Sequence, residues 1–439
     1  QSTLQKLFDK YVEATLSFVF RSCKFLIPLS KMAMVITICK ALDGLLKEKV
    51  VNLEYTFVYV VIWAIGGALS EKDGEDYRKV FSSWWRSQTD WKVVKFPAKG
   101  TVFDFYIDQT DNQARPEEWS KIVQTIEYDG SVPMGNITVP TPDNVSTTEF
   151  LKNLVYVGHP SLLIGMAGSG KTQMVKGLLR EINQKKPDSY LYQIINFNYY
   201  TESGPLQSML EQTLEKKGGR QKGPRGKAKL IYFIDDLNMP AKERYGAQPP
   251  LELIRQWFDY HGWYDRKSLE FKTIDDIQFV SAMGLGRAPI SNRLLRNFNM
   301  VFFHEMSDET LQIIVRKTLE WGFTQHVDKV KFLIGGLTKI IFKTYKAIQS
   351  SKDFLPLPSK SHYIFNMRDM QKVVQGILSV PHNKFEASMD NRTKMLRLLI
   401  NESLCVYGDR LVDLHDKSTF LELLNEKIKE EYSVEIDRK

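Results

Sequence analysis

The run Gly165-Met166-Ala167-Gly168-Ser169-Gly170-Lys171-Thr172 fits the pattern GxxxxGK[ST], and it directly follows Pro160-Ser161-Leu162-Leu163-Ile164, an apolar stretch that reads as a buried strand. Its glycines allow successive backbone N–H groups to point into one concavity. There, with the N-terminus of the next helix, they hold a triphosphate tail. Lys171 is expected to reach the outer phosphates and Thr172 to offer its hydroxyl to Mg²⁺. Gln173 to Arg180 have the apolar spacing of a helix packed on a sheet, so strand, loop and helix come in the order this chemistry needs. A chance match of four fixed positions is the competing reading, and this context argues against it.

A chain of 439 residues with 43% apolar content has room for two or three domains with ordinary packed cores. The uncharged apolar stretch Tyr55 to Ser70 falls short of the about 20 residues a membrane helix needs and reads as a buried core helix. Cys23, Cys39 and Cys405 lie far apart without CxxC spacing, which indicates neither a disulfide framework nor a zinc site and makes a reducing compartment the default. The glycosylation triplets at Asn136, Asn144, Asn391 and Asn401 are then coincidences. No signal peptide is visible, and the start at Gln1 reads as a segment cut from something longer. Much of the net charge of +8 sits in Lys216, Lys217, Arg220, Lys222, Arg225, Lys227 and Lys229. Because that stretch is also rich in Gly and Pro, the expectation is a solvated, mobile loop between a helix and a strand rather than a polyanion contact.

Residues 1 to about 90 read as helices: Leu4, Leu7, Phe8, Tyr11 and Val12 recur at helical spacing, and apolar stretches follow at 32–46 and 55–69. From Trp91 the pattern turns to alternation, with Val102, Phe103, Phe105, Tyr106 and Ile107 as strand-like residues in an extended connector to about 137. Pro140 and Pro142 break the chain again, and Thr141 or Asp143 can cap a new helix. Tyr192 to Phe197 is a second strand, and Leu206, Met209, Leu210 and Leu214 mark a further helix. Strands alternating with helices argue for an α/β fold with a parallel, covered sheet.

Leu230-Ile231-Tyr232-Phe233-Ile234-Asp235-Asp236 is an apolar strand ending in two carboxylates. Downstream of a phosphate loop, Asp235 is expected to hold the metal through water and Asp236 to orient the attacking water. A buried strand ending in an ordinary turn is the plainer alternative.

Phe233 to Pro240, continuing through Tyr245 to Gln256, resembles the axonemal dynein heavy chains, as do Trp263 to Lys267, Ser281-Ala282-Met283-Gly284 and Ser361 to Asp369. The resemblance covers nearly the whole chain and implies an AAA+ P-loop NTPase with a parallel central sheet flanked by helices, plus helical small subdomains. It implies the small subdomain of the second module over 1–90, a β-rich connector over 91–137, the large subdomain of the third module over 138–305, and a small subdomain with exit helices over 306–439. It further implies that Arg296, with Arg293 as the other candidate, reaches the nucleotide of a neighbouring module. Arg368 is directed at the phosphates of its own module, and Val139 and Pro140 edge the adenine pocket. The plainer readings are a surface helix cation for Arg296, an intrahelical or Asp369-linked salt bridge for Arg368, and simple linker residues for Val139 and Pro140.

Two departures stand out from that pattern. The metal strand ends Asp-Asp rather than Asp-Glu, and the tip Ala282-Met283-Gly284 lacks a polar residue, with a short loop, Leu285 to Pro289, after it. The expected function is that of an ATP-binding and ATP-hydrolysing regulatory module of a ciliary microtubule motor, with Lys171, Asp236, Arg296 and Arg368 serving turnover. The alternative is a nucleotide-locked structural module. ATP or ADP with Mg²⁺ is the expected ligand. The expected partners are neighbouring modules of the same heavy chain, other dynein subunits, and microtubules through regions outside this segment, with no nucleic acid and no membrane. The expected location is the cytoplasm and the cytoskeleton of a cilium or flagellum.

Overall fold

The computed structural model describes residues 2–47, 50–72, 74–91, 93–110, 113–124, 138–226, 228–286, 290–385 and 390–433. They fall into two compact units. One comprises Gln1–Val123, Pro142–Met166 and Lys171–His304, the other Gln124–Thr141, Ala167–Gly170 and Glu305–Lys439.

The first unit opens with helices α1 (Ser2–Ser22), α2 (Lys31–Leu45) and α3 (Leu53–Val61). Asn52 starts α3 by accepting the backbone N–H groups of Glu54 and Tyr55. The helix runs on into a π turn, Ile62–Gly66, every residue of which is buried, as expected of a core helix. Among the described residues no helix is long and apolar enough to cross a membrane. A two-residue hairpin, β1 (Glu71–Lys72) and β2 (Glu75–Asp76), leads into α4 (Tyr77–Ser87). Val102–Asp104 form a 3-10 turn, and Phe105–Asp108 (β3) pair antiparallel with Arg115–Glu118 (β4). Residues 125–137 of the expected connector lie outside the described residues.

The centre of this unit is a five-stranded parallel sheet built from β5 (Ser161–Gly165), β6 (Tyr190–Asn196), β9 (Lys229–Asp235), β12 (Ile277–Gly284) and β13 (Asn299–Phe303), in the order β13-β5-β12-β9-β6. Burial of β5, β9 and β12 along nearly their whole length explains their unbroken apolar sequences, since helices cover both faces of a parallel sheet. The covering helices are α5 (Pro142–Val157), α6 (Lys171–Lys185), α7 (Ser203–Glu211), α8 (Pro249–Tyr260) and the short α9 (Asn292–Leu295). The N-terminal helices belong to the same unit. Asn153 donates to Ala41 O at 2.8 Å, the Trp63 ring stacks on Phe150, and His304, just past β13, bonds Gly67 O through Nε2 at 2.8 Å. Burial, with the nearby Arg78 charge, pushes the His304 imidazole down to about 3 and keeps it neutral.

The basic stretch 216–229 is not the expected loop. Leu214–Gly218 (β7) and Gln221–Pro224 (β8) form an antiparallel hairpin that joins β10 (Gly262–Tyr264) and β11 (Phe271–Ile274) in a second sheet, β10-β11-β8-β7. Leu214, expected in a helix, begins β7, because α7 already ends at Glu211. Part of the charge of 216–229 is matched within the fold. Lys222 meets Glu211 at 2.6 Å, Arg220 meets Glu270 at 2.7 Å, and the Lys217 ammonium donates to Gly226 O. Lys227 lies outside the described residues. Glu211 anchors this sheet, accepting from Lys222, Gln207 and the Trp263 indole.

The second unit is helical: α10 (Asp308–Gly322), α11 (Asp328–Lys331), α12 (Ile334–Ser350), α13 (Met367–Leu378), α14 (Asn391–Val406) and α15 (Leu414–Tyr432). Leu337, Ile340, Val374, Ile377, Leu399 and Leu424 lie in its core. Before α13, the buried Tyr363 donates its hydroxyl to Asp416 and accepts the Val412 N–H, each at 2.7 Å.

Burial raises the Glu211 carboxyl, but hydrogen bonds from Lys222, Gln207 and Trp263 outweigh that and hold it at about 2. A folded-state value below the unfolded one stabilises fully above the ordinary carboxylate range and is lost as pH falls towards 2. Glu211→Gln is therefore expected to cost about 2 kcal/mol at pH 7 and little near pH 2. Amide hydrogen exchange in 214–224 and 262–274, followed from pH 7 to pH 2, checks this. The wild type should lose protection below about pH 4.5, and the variant should lack that step.

Candidate nucleotide-binding site

The site begins where β5 ends. Gly165 lies level with Gly284 of β12 on one side and Phe303 of β13 on the other. A Cβ on Gly165 would sit 2.3 Å from the Phe303 carbonyl oxygen, so the first glycine of the motif is required by the neighbouring backbone. Gly168 and Gly170 take φ of +77° and +98°, a region that L side chains rarely enter. The four residues Ala167–Gly170 group with the second unit, where a Cβ on Gly168 would come within 2.8 Å of the Asn366 side chain.

Helix α6 starts at Lys171, whose side chain is buried despite its charge. Its ammonium donates to Gly165 O at 3.0 Å and to Met166 O. Thr172 follows, and its hydroxyl donates to Asp235 Oδ2 at 2.6 Å. The other carboxylate oxygen accepts the Asp236 N–H at 3.1 Å. Asp236 itself is exposed and held at φ +53°. A cationic amine, a hydroxyl and two carboxylates thus gather at the carboxyl ends of β5 and β9, on either side of β12. This is the switch point of the sheet, where open α/β folds bind ligands. Buried Lys171 and the hydroxyl–carboxylate pair suit a phosphate chain with a hard divalent cation.

Two asparagines that sequence reasoning passed over flank this group. Asn196 ends β6 in register with Asp235, and the Phe197 N–H donates to Asp235 O at 3.0 Å. Asn238 sits in the turn after β9 and donates through Nδ2 to Gly284 O at 3.1 Å. A polar residue closing an apolar strand was the available signal for Asn196. Asn238 had none beyond turn composition.

The remaining expected residues lie elsewhere. Arg296 caps the C-terminus of α9, is exposed, and pairs with Asp259 of α8 at 3.3 Å; Arg293 is exposed on the same short helix. In the second unit Arg368 is exposed, and its backbone N–H is bonded by the Asn366 side chain. The expected alternative of an Arg368–Asp369 salt bridge gives way to another pairing. Asp369 closes a capping box with Asn366 and takes Arg410 at 2.9 Å. Val139 is buried and Pro140 half-buried, both also in the second unit.

The family model described as the P-loop containing dynein motor region matches residues 126–306. The dynein heavy chain AAA lid domain matches 4–121 and the AAA+ lid domain 341–437. This chain belongs to the dynein heavy-chain family. It is 36% identical to dynein axonemal heavy chain 9 of Homo sapiens over 98% of its length, covering 10% of that protein. The ciliary dynein beta chain of Heliocidaris crassispina, at 36%, and the flagellar outer-arm dynein alpha chain of Chlamydomonas reinhardtii, at 35%, match over the same shares. The chain thus spans about a tenth of the length of the curated relatives it matches. The dynein family relationship, the five-stranded parallel sheet and its phosphate loop together make the fold that of an AAA+ P-loop module, a nucleotide-binding class.

Gly165→Ala is expected to destabilise the first unit by about 1–3 kcal/mol, because a methyl group meets rigid β13 backbone rather than a side chain that can turn away. Chemical denaturation of the two proteins measures the difference.

Proposed function

We propose that this dynein segment is the third module of a ciliary or flagellar heavy chain, preceded by the small subdomain of the second, and that it binds ATP or ADP with Mg²⁺ and hydrolyses ATP as a regulatory station. The observation that supports this best is the 2.6 Å bond between Thr172 and Asp235 beside the buried Lys171 ammonium. Those two oxygens belong to the residue types that hold Mg²⁺ in P-loop enzymes, and the metal supplies neutralisation of the phosphate charge. Backbone N–H groups of Gly165, Met166, Ala167, Gly168, Ser169 and Gly170 would cradle the phosphates, with Lys171 on the outer ones. Asp236 would accept a proton from the attacking water as its oxygen bonds to the γ-phosphorus and the bond to the bridging oxygen breaks, leaving ADP and phosphate.

Arg296 would act on the nucleotide of an adjoining module, its exposure leaving it available to one, and Arg368 on this module's own phosphates. Val139 and Pro140 would wall the base. In the assembled heavy chain the partners would be neighbouring modules and other dynein subunits. Microtubules would be engaged through regions outside these residues, in the cytoplasm and cytoskeleton of an axoneme. Nucleotide occupancy would bias ring geometry.

A second reading, a module that holds nucleotide without turnover, is favoured by Asp236. Its side chain is one methylene shorter than glutamate and solvent-exposed, and the β12 tip beside it offers no polar side chain of its own.

Photolabelling of the heavy chain with adenine-azido ATP carrying α- or γ-label, followed by mapping of the labelled peptide that contains Val139 and Pro140, reads this site alone. Lys171→Ala is expected to lower α-label occupancy roughly 30-fold or more, since it removes a buried charge from the phosphates. Unchanged occupancy would sink the assignment. In the wild type the γ/α ratio should decay with time, and Asp236→Glu should speed that decay. A wild-type ratio that never decays would favour the locked reading instead.

A further inference from the structure

β12 lies between the strand that leads into the phosphate loop and the strand that ends in Asp235, yet its tip, Ala282-Met283-Gly284, offers no polar side chain. The structure brings one there from another element. After Asp235 the chain continues beside β12, with the Leu237 N–H on Ala282 O at 3.0 Å. Asn238 then crosses the tip and donates Nδ2 to Gly284 O at 3.1 Å. Gly284 is the register partner of Gly165, whose own carbonyl accepts the Lys171 ammonium and the Leu285 N–H. The Asn238 carboxamide therefore sits one strand away from the backbone that holds Lys171, and three residues along the chain from Asp235.

Its other atom is the informative one. Oδ1 of Asn238 is buried and finds no donor among the described residues, in a residue only 7% exposed. A buried carbonyl acceptor without a donor costs stability, and such groups persist where a ligand, ion or water completes them. The bond to Gly284 O uses Nδ2 alone, which leaves Oδ1 for another donor.

We propose that Asn238 is a water-positioning residue. Its Oδ1 accepts a hydrogen bond from the water that attacks the γ-phosphate, standing in for the polar side chain that β12 lacks, while its Nδ2 bond to Gly284 fixes the orientation of the amide. This rests on the hydrolytic reading above and deepens it. With Asn238 holding the water and Asp236 taking its proton, the departures at Asp236 and at the β12 tip become compatible with turnover. The phosphate-binding residues Lys171 and Thr172 keep a separate task, so loss of Asn238 should leave nucleotide affinity alone.

The test uses the heavy chain with the site-mapped azido-ATP label. Asn238→Leu, close in volume and without an acceptor, should hold α-label occupancy within twofold while slowing the decay of the γ/α ratio tenfold or more. Asn238→Gln, which keeps both an amide donor for Gly284 and an acceptor oxygen, should recover part of the decay rate. A third readout needs no nucleotide: the melting temperature of Asn238→Leu should stay within about 2 °C of wild type, because removal of an unsatisfied buried oxygen offsets the loss of the bond to Gly284 O. Decay within twofold of wild type in Asn238→Leu would overturn the proposal. So would a fall in melting temperature and occupancy that matches the fall in rate, the signature of a mere strut. A wild-type ratio that does not decay at all would instead remove the hydrolytic reading on which the proposal stands.

Discussion

The hydrogen bond from Thr172 to Asp235 ties the first turn of α6 to the tip of β9 across the intervening end of β12. It can form only if three separate parts of the chain stop at the same height. The register supplies that condition: Gly165 is level with Gly284 and Phe303, and Asn196 with Asp235. Because side chains alternate along a strand, a slip of one residue in any pairing would send a site residue to the opposite face. The long buried apolar sequences of β5, β9 and β12 hold that register through burial on both faces, so the chemistry at the tips depends on packing several residues below them.

The same sheet fixes what precedes it. The helices of residues 1–90 and the nucleotide-binding sheet form one compact unit, joined where His304 bonds Gly67 and where Trp63 stacks on Phe150. Since β13 lies directly beside β5, the residue that follows it, His304, links the preceding helices to the strand bordering the phosphate loop. Burial keeps this imidazole uncharged, so the link is a neutral hydrogen bond that ionic strength should hardly affect.

The insert sheet shows how composition can mislead. Lys216 to Lys229 has the charge and glycine content of a loop and no apolar alternation, yet its strands form because β8 pairs with β11, about 50 residues later, and because Glu211 and Asp265 pair with lysines of β8 and β11. Lysines on the outer strand also guard an edge that would otherwise invite another chain. None of those partners is close enough in sequence for a local pattern to reveal them.

The phosphate loop, the order of strands and helices, the paired carboxylates that end β9 and the family can all be read without a structure, because each is written in contiguous residues whose spacing is itself the physical requirement. The sequence also exposes the gap at Ala282-Met283-Gly284. Which side chain lies against that strand end is visible only in the folded chain. Asn238 reaches the β12 tip through a parallel pairing between strands whose aligned residues lie 47 apart in the chain, such as Val280 and Phe233, and no local spacing encodes that register. The folded chain likewise decides that Asp369 belongs to Arg410 and a helix cap, and that a lysine-rich run is a hairpin. Those outcomes depend on which distant groups come within hydrogen-bonding distance, a property of the folded chain rather than of any stretch of it.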